Sequence, residues 1–547
     1  VTVSKSHGIL FTFSIEYGLG VFKSLNPSFS NPKRMVASLL KIVHTGVQDE
    51  RLLPPAEQPS LKYFQKAYVK AGRFTTQWVR LDFDTRPLLG AQASITIPRQ
   101  GHLVSRLYLV TTMPNINTIQ RQAIANAGGA FAGPRFGWTN SLGHALIQEA
   151  NIEIGGSRVE SLNSRLLEVL DEFGTPLEKT TVMNRILKRE DNGFTPTSFG
   201  SDTNPTVAIT PLPFWFSNGD PGTYLPIDAL GADLVRLLIR FSPLNSLYVS
   251  SAQQTLPNPS NPVAGDAYFP LLGSPFYKVD AAGTNVFGLN GNPTQAQRVS
   301  KIAGVQMPNE LYLGDTYVMA EYVYLDKVEA NLFRISDIQY PVVQHYSLEP
   351  FDSVGLPKLT APLRIANPVR DLFFFAQRRE ATAYNCPFLA TRDLSGLGVT
   401  IAPWWPDASG LTTQVAGDYL AGFSTRDSEP LQSVQLVYEG KLIRYETSSP
   451  ALLRSVLPAF NQRKTPWVNR YYYNMPFGVT NGLYPPSIPT GEGNLDKIQR
   501  VELQMDFKPF RGSLNPNNVP RYNVFVFAET YNIFRVYGGR GGLLFGY

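Results

Sequence analysis

The chain has 547 residues, 43% of them hydrophobic and 17% charged, which is enough for at least two domains with substantial cores. Its net charge of +6 comes from scattered lysines and arginines, an arrangement that argues against a dedicated nucleic-acid binder with one basic face. The single cysteine, Cys386, excludes an internal disulfide and any multi-cysteine metal centre.

In chain order, residues 1–70 read as an N-terminal arm. Gly8 to Phe22 is an apolar stretch within it, but Glu16 interrupts it and it falls short of the roughly 18 apolar residues of a membrane span. It also lacks the small-residue cleavage site of a signal peptide. Further on, Leu39, Leu40, Ile42, Val43, Tyr63, Phe64 and Tyr68 alternate with Lys41, Lys62, Lys66 and Lys70, and Pro54-Pro55 would break any helix. That is too little apolar surface for an independent core, so this arm has to pack on another surface or remain free.

From residue 71 onward, short strand-like runs recur between Gly, Pro, Asn and Ser. They include Ala93 to Pro98, Leu103 to Thr111, Ala150 to Ile154, Leu234 to Phe241, Tyr317 to Leu325, Leu372 to Phe375, Val434 to Tyr438, Val501 to Phe507 and Val524 to Phe527. This spacing predicts an all-β sandwich or barrel, and 44 Gly, 43 Pro and 12% aromatic residues agree with it. Helical periodicity is sparse. Leu162, Leu166, Val169, Leu170 and Phe173 predict a helix over Ser161 to Phe173 with Ser161 as its cap. Leu452, Leu453, Val456, Leu457 and Phe460 mark a weaker one over Ser449 to Phe460. Asn115 to Gly137, Leu244 to Gln297 and Glu380 to Glu429 read as long surface loops on the β scaffold.

The chain repeats itself. Ile152-Glu-Ile-Gly-Gly-Ser-Arg-Val resembles Leu436-Val-Tyr-Glu-Gly-Lys-Leu-Ile, and each leads into one of the two helices. Upstream, His102-Leu-Val-Ser-Arg-Leu-Tyr-Leu-Val matches Asn367-Pro-Val-Arg-Asp-Leu-Phe-Phe-Phe. Downstream, Arg240-Phe-Ser-Pro matches Asp506-Phe-Lys-Pro, and the Tyr317 run matches the Tyr522 run. Any one match is weak because strands look alike; four in the same order predict a duplicated β domain.

Candidate chemistry is thin. His7, His44, His102, His144 and His345 are isolated, with no zinc-site spacing, so His144 reads as structural rather than as a catalytic base. Cys386 has no partner motif and reads as a plain thiol. Gly538-Gly-Arg-Gly-Gly lacks the Lys-Ser/Thr of a phosphate loop and reads as a flexible terminal turn. Glu149, Glu153, Glu168, Asp171 and Glu172 could suggest a glycosidase pair, but helix and strand surfaces carry such acids routinely. Tyr471-Tyr-Tyr, Trp404-Trp and Phe373-Phe-Phe could stack sugars or bases, yet fit core or interface better. No catalytic, cofactor-binding or metal residue is assigned. Every Asn-X-Ser/Thr match (Asn26, Asn204, Asn258, Asn292) has Pro at X, which with the lone cysteine suits a reducing compartment.

Several stretches resemble a known family. Met35-Val-Ala-Ser-Leu-Leu-Lys-Ile-Val-His-Thr-Gly-Val-Gln-Asp, Leu61-Lys-Tyr-Phe-Gln-Lys-Ala-Tyr and Trp138-Thr-Asn-Ser-Leu-Gly-His-Ala-Leu-Ile-Gln-Glu are similar to the major capsid proteins of nucleocytoplasmic large DNA viruses, of the iridovirus and phycodnavirus kind. Pro213-Phe-Trp-Phe, Leu225-Pro and the tail from Tyr531 also resemble them. The resemblance implies two tandem eight-stranded jelly rolls with a few short helices and long loop insertions. It places an arm at 1–70 (with 1–34 upstream of the family-like start), a first jelly roll at 71–327, a linker at 328–337 and a second jelly roll at 338–547. It further implies a virion structural protein, assembled in the host cytoplasm as a homotrimer. The implied partners are neighbouring capsomers, minor capsid and penton proteins, and an internal membrane through the arm, with no sequence-specific nucleic acid. A carbohydrate-binding or carbohydrate-cleaving β-sandwich is the alternative, and would require a cleft with exposed Trp and a matched acid pair. A single-jelly-roll penton or spike protein fits neither the length nor the duplication.

Overall fold

In this computed structural model the described residues are 72–115, 135–189, 206–253, 266–270, 311–379, 387–392, 429–466, 470–485, 487–509 and 515–546. The expectations for the arm, for Cys386 and for Trp404-Trp405 lie outside them. Strands β1 (Phe74–Asp82), β2 (Gln92–Thr96) and β3 (Leu103–Met113) come first. Then follow β4 (Arg135–Trp138), helix α1 (Leu142–Ala145), β5 (Ile147–Ile154), β6 (Ser157–Asn163), α2 (Ser164–Gly174) and α3 (Thr180–Leu187). Strands β7 (Thr206–Pro211), β8 (Val235–Phe241), β9 (Tyr248–Gln253), β10 (Asp266–Pro270) and β11 (Thr316–Leu325) complete the first half, and α4 (Lys327–Ile335) follows.

The second half runs through β12 (Ile338–Ser347), β13 (Phe351–Asp352), β14 (Lys358–Pro362), β15 (Val369–Arg378), β16 (Leu431–Tyr438) and β17 (Leu442–Thr447). A π-helical turn at Leu452–Val456 leads into α5 (Leu457–Phe460), and β18 (Tyr472–Pro476), β19 (Val501–Phe507), β20 (Tyr522–Tyr537) and β21 (Arg540–Leu543) close the chain.

Two four-stranded sheets, β1-β11-β3-β7 and β2-β8-β5-β6, form the first sandwich. Two more, β12-β20-β15-β18 and β14-β19-β16-β17, repeat that strand order in the second, with β13 and β21 added along β20. This is a jelly roll made twice. The four sequence matches fall on equivalent strands: β5-β6 with β16-β17, β3 with β15, β8 with β19, and β11 with β20. The smaller sheet β10-β9-β4 decorates the first sandwich. Pairing is antiparallel throughout these ladders; for example, Val79 lies opposite Ala320, and Leu372 lies opposite Ala528.

Side-chain alternation places the cores. In β8, Val235, Leu237, Ile239 and Phe241 point inward, and Arg236 and Arg240 point to solvent. In β15 every residue is buried, because both faces are covered. Leu372, Phe374 and Ala376 join the second sandwich's own core. Phe373 and Phe375 face the other way, into a cluster continuous with the first sandwich's core.

Two local expectations are corrected. Ser161 and Leu162 belong to β6, and the cap of α2 is Asn163, whose side-chain oxygen accepts from Leu166 N at 2.9 Å. Helix α4 runs through most of residues 328–337. Gly538-Gly539 is a tight hairpin turn between β20 and β21, both residues having positive φ (58° and 78°), which only glycine adopts without strain.

Candidate functional site: a buried ionic seam between the jelly rolls

Helix α2 follows β6 directly and crosses onto the outer face of the β12-β20-β15-β18 sheet. Its apolar stripe, Leu166, Val169 and Phe173, is buried, and Phe173 rests on Phe373 with ring centroids 5.2 Å apart. The polar side of the helix is buried too, contrary to the expectation of surface acids: Glu168 is 0% exposed, Glu172 1% and Asp171 9%. Carboxylates are rarely fully buried without cationic partners, and these have several.

Arg189, just beyond α3, reaches Glu168 at 2.6 Å and also pairs with Asp171. His144 from α1 meets Glu168 at 2.6 Å through Nδ1. The second jelly roll supplies the rest: Arg470 lies 2.5 Å from Glu172 and 3.4 Å from Glu168, and Lys464 lies 3.4 Å from Glu172. Burial alone would raise the Glu168 carboxyl, but the Arg189 and Arg470 charges outweigh it and hold the group well below the usual carboxylate range. Asp171 and Glu172 are likewise lowered, burial being outweighed by Arg189 for the first and by Arg470 and Lys464 for the second.

A second group of ion pairs lies beside the first. Glu160 of β6 holds His345 of β12 at 2.8 Å, and its other oxygen accepts the Trp215 backbone N–H at 2.9 Å. Burial would lower His345, yet the hydrogen bond to Glu160 leaves its pKa raised. Arg463 bridges Asp371 and Glu529, each at 2.7 Å. Backbone contacts reinforce the seam: Lys464 N donates to Phe173 O at 3.1 Å, and Gln344 Nε2 donates to Val159 O at 3.0 Å. Beside it opens a cavity of about 520 Å³, lined by Leu170 and Phe173 from one side and by His345, Arg370, Arg463 and Glu529 from the other.

Chemically, this seam binds two halves of one chain together. A glycosidase pair requires one carboxyl kept protonated near neutral pH. Glu168 and Glu172 are instead ionised and saturated by cations. Glu149 and Glu153 lie elsewhere, on β5, where Glu149 accepts from Ser161 at 3.0 Å. Tyr471, Tyr472 and Tyr473 are buried, as is the run from Phe373 to Phe375, so these aromatics serve the core and the seam.

The comparisons with known proteins bear on this architecture. The family model of the major capsid protein N-terminus matches residues 62–326. The crystal structure of PBCV-1 VP54, fitted into a reconstruction of the virophage Sputnik, is similar over 89% of this chain and 100% of that one, with a TM-score of 0.60. At 16% identity that likeness is one of fold. Major capsid protein of Frog virus 3 (isolate Goorha) is 20% identical over 503 residues, which cover 88% of this chain and 92% of the relative. The chain thus has the double jelly-roll fold seen in major capsid proteins of large DNA viruses, and its first half is similar to the N-terminal family of those proteins. Probable capsid protein 4 of Acanthamoeba polyphaga mimivirus is 24% identical over 219 residues. That match covers 39% of each protein, so the chain spans less than half the length of this relative. In this chain, the seam is what joins the two jelly rolls into one piece.

Proposed function

We propose that this chain is the major coat subunit of a large double-stranded DNA virus, and that it acts as a structural tile without catalytic activity. The observation that carries this reading is the twofold use of one jelly roll, locked side by side through a buried interface. Two such domains per chain give six around a threefold axis, a near-hexagonal outline suited to tiling a closed shell. Sandwiches also keep most strand edges paired, which limits uncontrolled sheet growth during assembly.

The partners follow from that reading. The chain associates with itself as a homotrimer, the trimers abut one another, and minor capsid and penton proteins fill the remaining positions of the shell. The domain limits proposed are 71–327 and 338–547, joined through 328–337. The lysine-bearing arm before residue 71 would face the interior, toward anionic surfaces such as a membrane, with salt-sensitive contacts. Its place of work is the virion capsid, after assembly in the host cytoplasm, and sequence-specific nucleic-acid binding plays no part. Negative-stain images of the purified chain test the reading: uniform particles with a hexagonal outline are expected, and isolated single-chain particles would refute it.

A further inference from the structure

We propose that the cavity beside the seam is a binding site for a small organic carboxylate, held by the unpaired Nε–H groups of Arg370 and Arg463, with its short apolar tail against Leu170, Phe173 and Val343. Such a site lies inside one chain and stands apart from the capsomer reading.

The duplication exposes the feature. The register of β3 against β11 skips at Ser105, where Val104 pairs with Tyr322 and Arg106 with Glu321. The register of β15 against β20 skips at the matched position, Arg370, where Val369 pairs with Thr530 and Asp371 with Glu529. Both strands therefore bulge at the same point, and a bulge re-aims the side chain of its extra residue. In the first jelly roll that residue is small and satisfied: Ser105 Oγ donates to the Glu321 carboxylate at 2.7 Å. In the second it is an arginine, 3% exposed, at the cavity wall. One terminal nitrogen of Arg370 donates to the Asn481 carbonyl, but its Nε–H has no partner, and no ion pair holds it among the described residues. A buried guanidinium in that state is costly, whereas an anion within reach offsets the cost.

The rest of the wall selects the kind of anion. Arg463 also lines the cavity with an unpartnered Nε–H, although its Nη2 bridges Asp371 and Glu529 at 2.7 Å. The carboxylates at the wall are already engaged: Glu529 by Arg463, and Asp220 by the backbone N–H groups of Gly222 and Ser487, each at 3.0 Å. Two guanidinium donors are left over, and a guanidinium matches a planar carboxylate in shape. Leu170, Phe173, Pro213 and Val343 supply an apolar wall, and Leu483, 63% exposed, stands at the open side. A volume of about 520 Å³ lies in the range of small-molecule sites and exceeds what a bare ion needs. A carboxylate with a tail of several carbons fits both the donors and the wall.

The test titrates the full chain with hexanoate, acetate and 1-hexanol, read by ligand-observed saturation-transfer NMR. Hexanoate should bind about tenfold more tightly than 1-hexanol, which lacks the charge, and than acetate, which lacks the tail. Arg370→Met should lower hexanoate affinity about tenfold, toward that of 1-hexanol. Leu483→Trp, at an exposed position, should block the cavity without unfolding the chain, and it decides the case if Arg370→Met does not fold. If hexanoate fails to bind, or binds folded Arg370→Met as it binds the unmodified chain, solvent fills the cavity and the proposal is overturned. Unchanged binding to Leu483→Trp would place hexanoate elsewhere and overturn it too. Equal affinity for hexanoate and either of the other two probes would overturn the assignment of a carboxylate with a tail. None of these results touches the capsomer reading.

Discussion

The outer faces of two sheets with the same strand order have different fates in this chain. On the β12-β20-β15-β18 sheet, Phe373 and Phe375 are fully buried, with Phe173 of α2 resting on Phe373. On the β1-β11-β3-β7 sheet, Tyr108 is half-buried and Trp78 is exposed. The helices differ in the same sense, α2 being sunk into the neighbouring sandwich and α5 left at the surface. Duplicated domains thus retain one scaffold and diverge in what covers it. The first jelly roll carries acids on its helix, and the second carries Arg463, Lys464 and Arg470, which meet them or their neighbours. Buried pairs of this kind are weak evidence for added stability, but they penalise every misaligned docking of the two domains.

The sharpest way to break the comparison is to remove the central cation of the seam. Arg189→Met leaves Glu168 and Asp171 buried without their main partner, and should destabilise by about 3–5 kcal/mol. Urea unfolding monitored by tryptophan fluorescence reads it. A value near zero would mean that the carboxylates find other partners and that the seam is redundant.

Next is the pair of equivalent aromatic positions. Phe373→Ala should cost about 3–5 kcal/mol, as for a buried phenylalanine. Tyr108→Ala should cost well under half of that in the unassembled chain, because its ring is only partly covered. Equal losses in thermal unfolding would erase the distinction between covered and bare faces.

The pH profile sharpens the same picture. Glu168, Asp171, Glu172 and Glu529 all have lowered pKa values in the folded chain. Their contribution is therefore complete above the unfolded carboxylate values of about 4, and is lost as pH falls through the lower folded values. His345 is raised, so its contribution is complete below about 6.5 and is lost as pH rises through the folded value. Melting temperature against pH should fall steeply on the acid side. His345→Gln should remove only the alkaline part of the dependence.

How far could this have been read from the sequence? Seven of the nine strand runs lie within an observed strand, and the other two, Ala93 to Pro98 and Leu234 to Phe241, overrun theirs by one or two residues, because an alternating or continuous apolar run is a local signal. Strand β17, Leu442–Thr447, escaped notice because most of its residues are exposed at a sheet edge. Strand β1 did so for the same reason: Phe74–Asp82 buries little beyond Leu81. The acids of α2 were legible as acids but not as buried ones. Glu172 is met by Lys464 and Arg470, which are 292 and 298 residues away from it. No local pattern carries a pairing at that distance. The helix cap was misplaced by two residues because Ser161 and Asn163 are both good caps, and only the strand's end decides between them.

A smaller effect follows from that cap. Asn163→Ala should cost about 1 kcal/mol through the lost bond to Leu166 N, whereas Ser161→Ala should cost less. Chemical denaturation of the two variants separates them, and the reverse order would restore the serine as the cap.

Light scattering of the purified, unmodified chain tests the central claim most directly. The account predicts a mass of three times 60.7 kDa at micromolar concentration, held together by faces that a single chain leaves bare. A stable species of 60.7 kDa under the same conditions would contradict it.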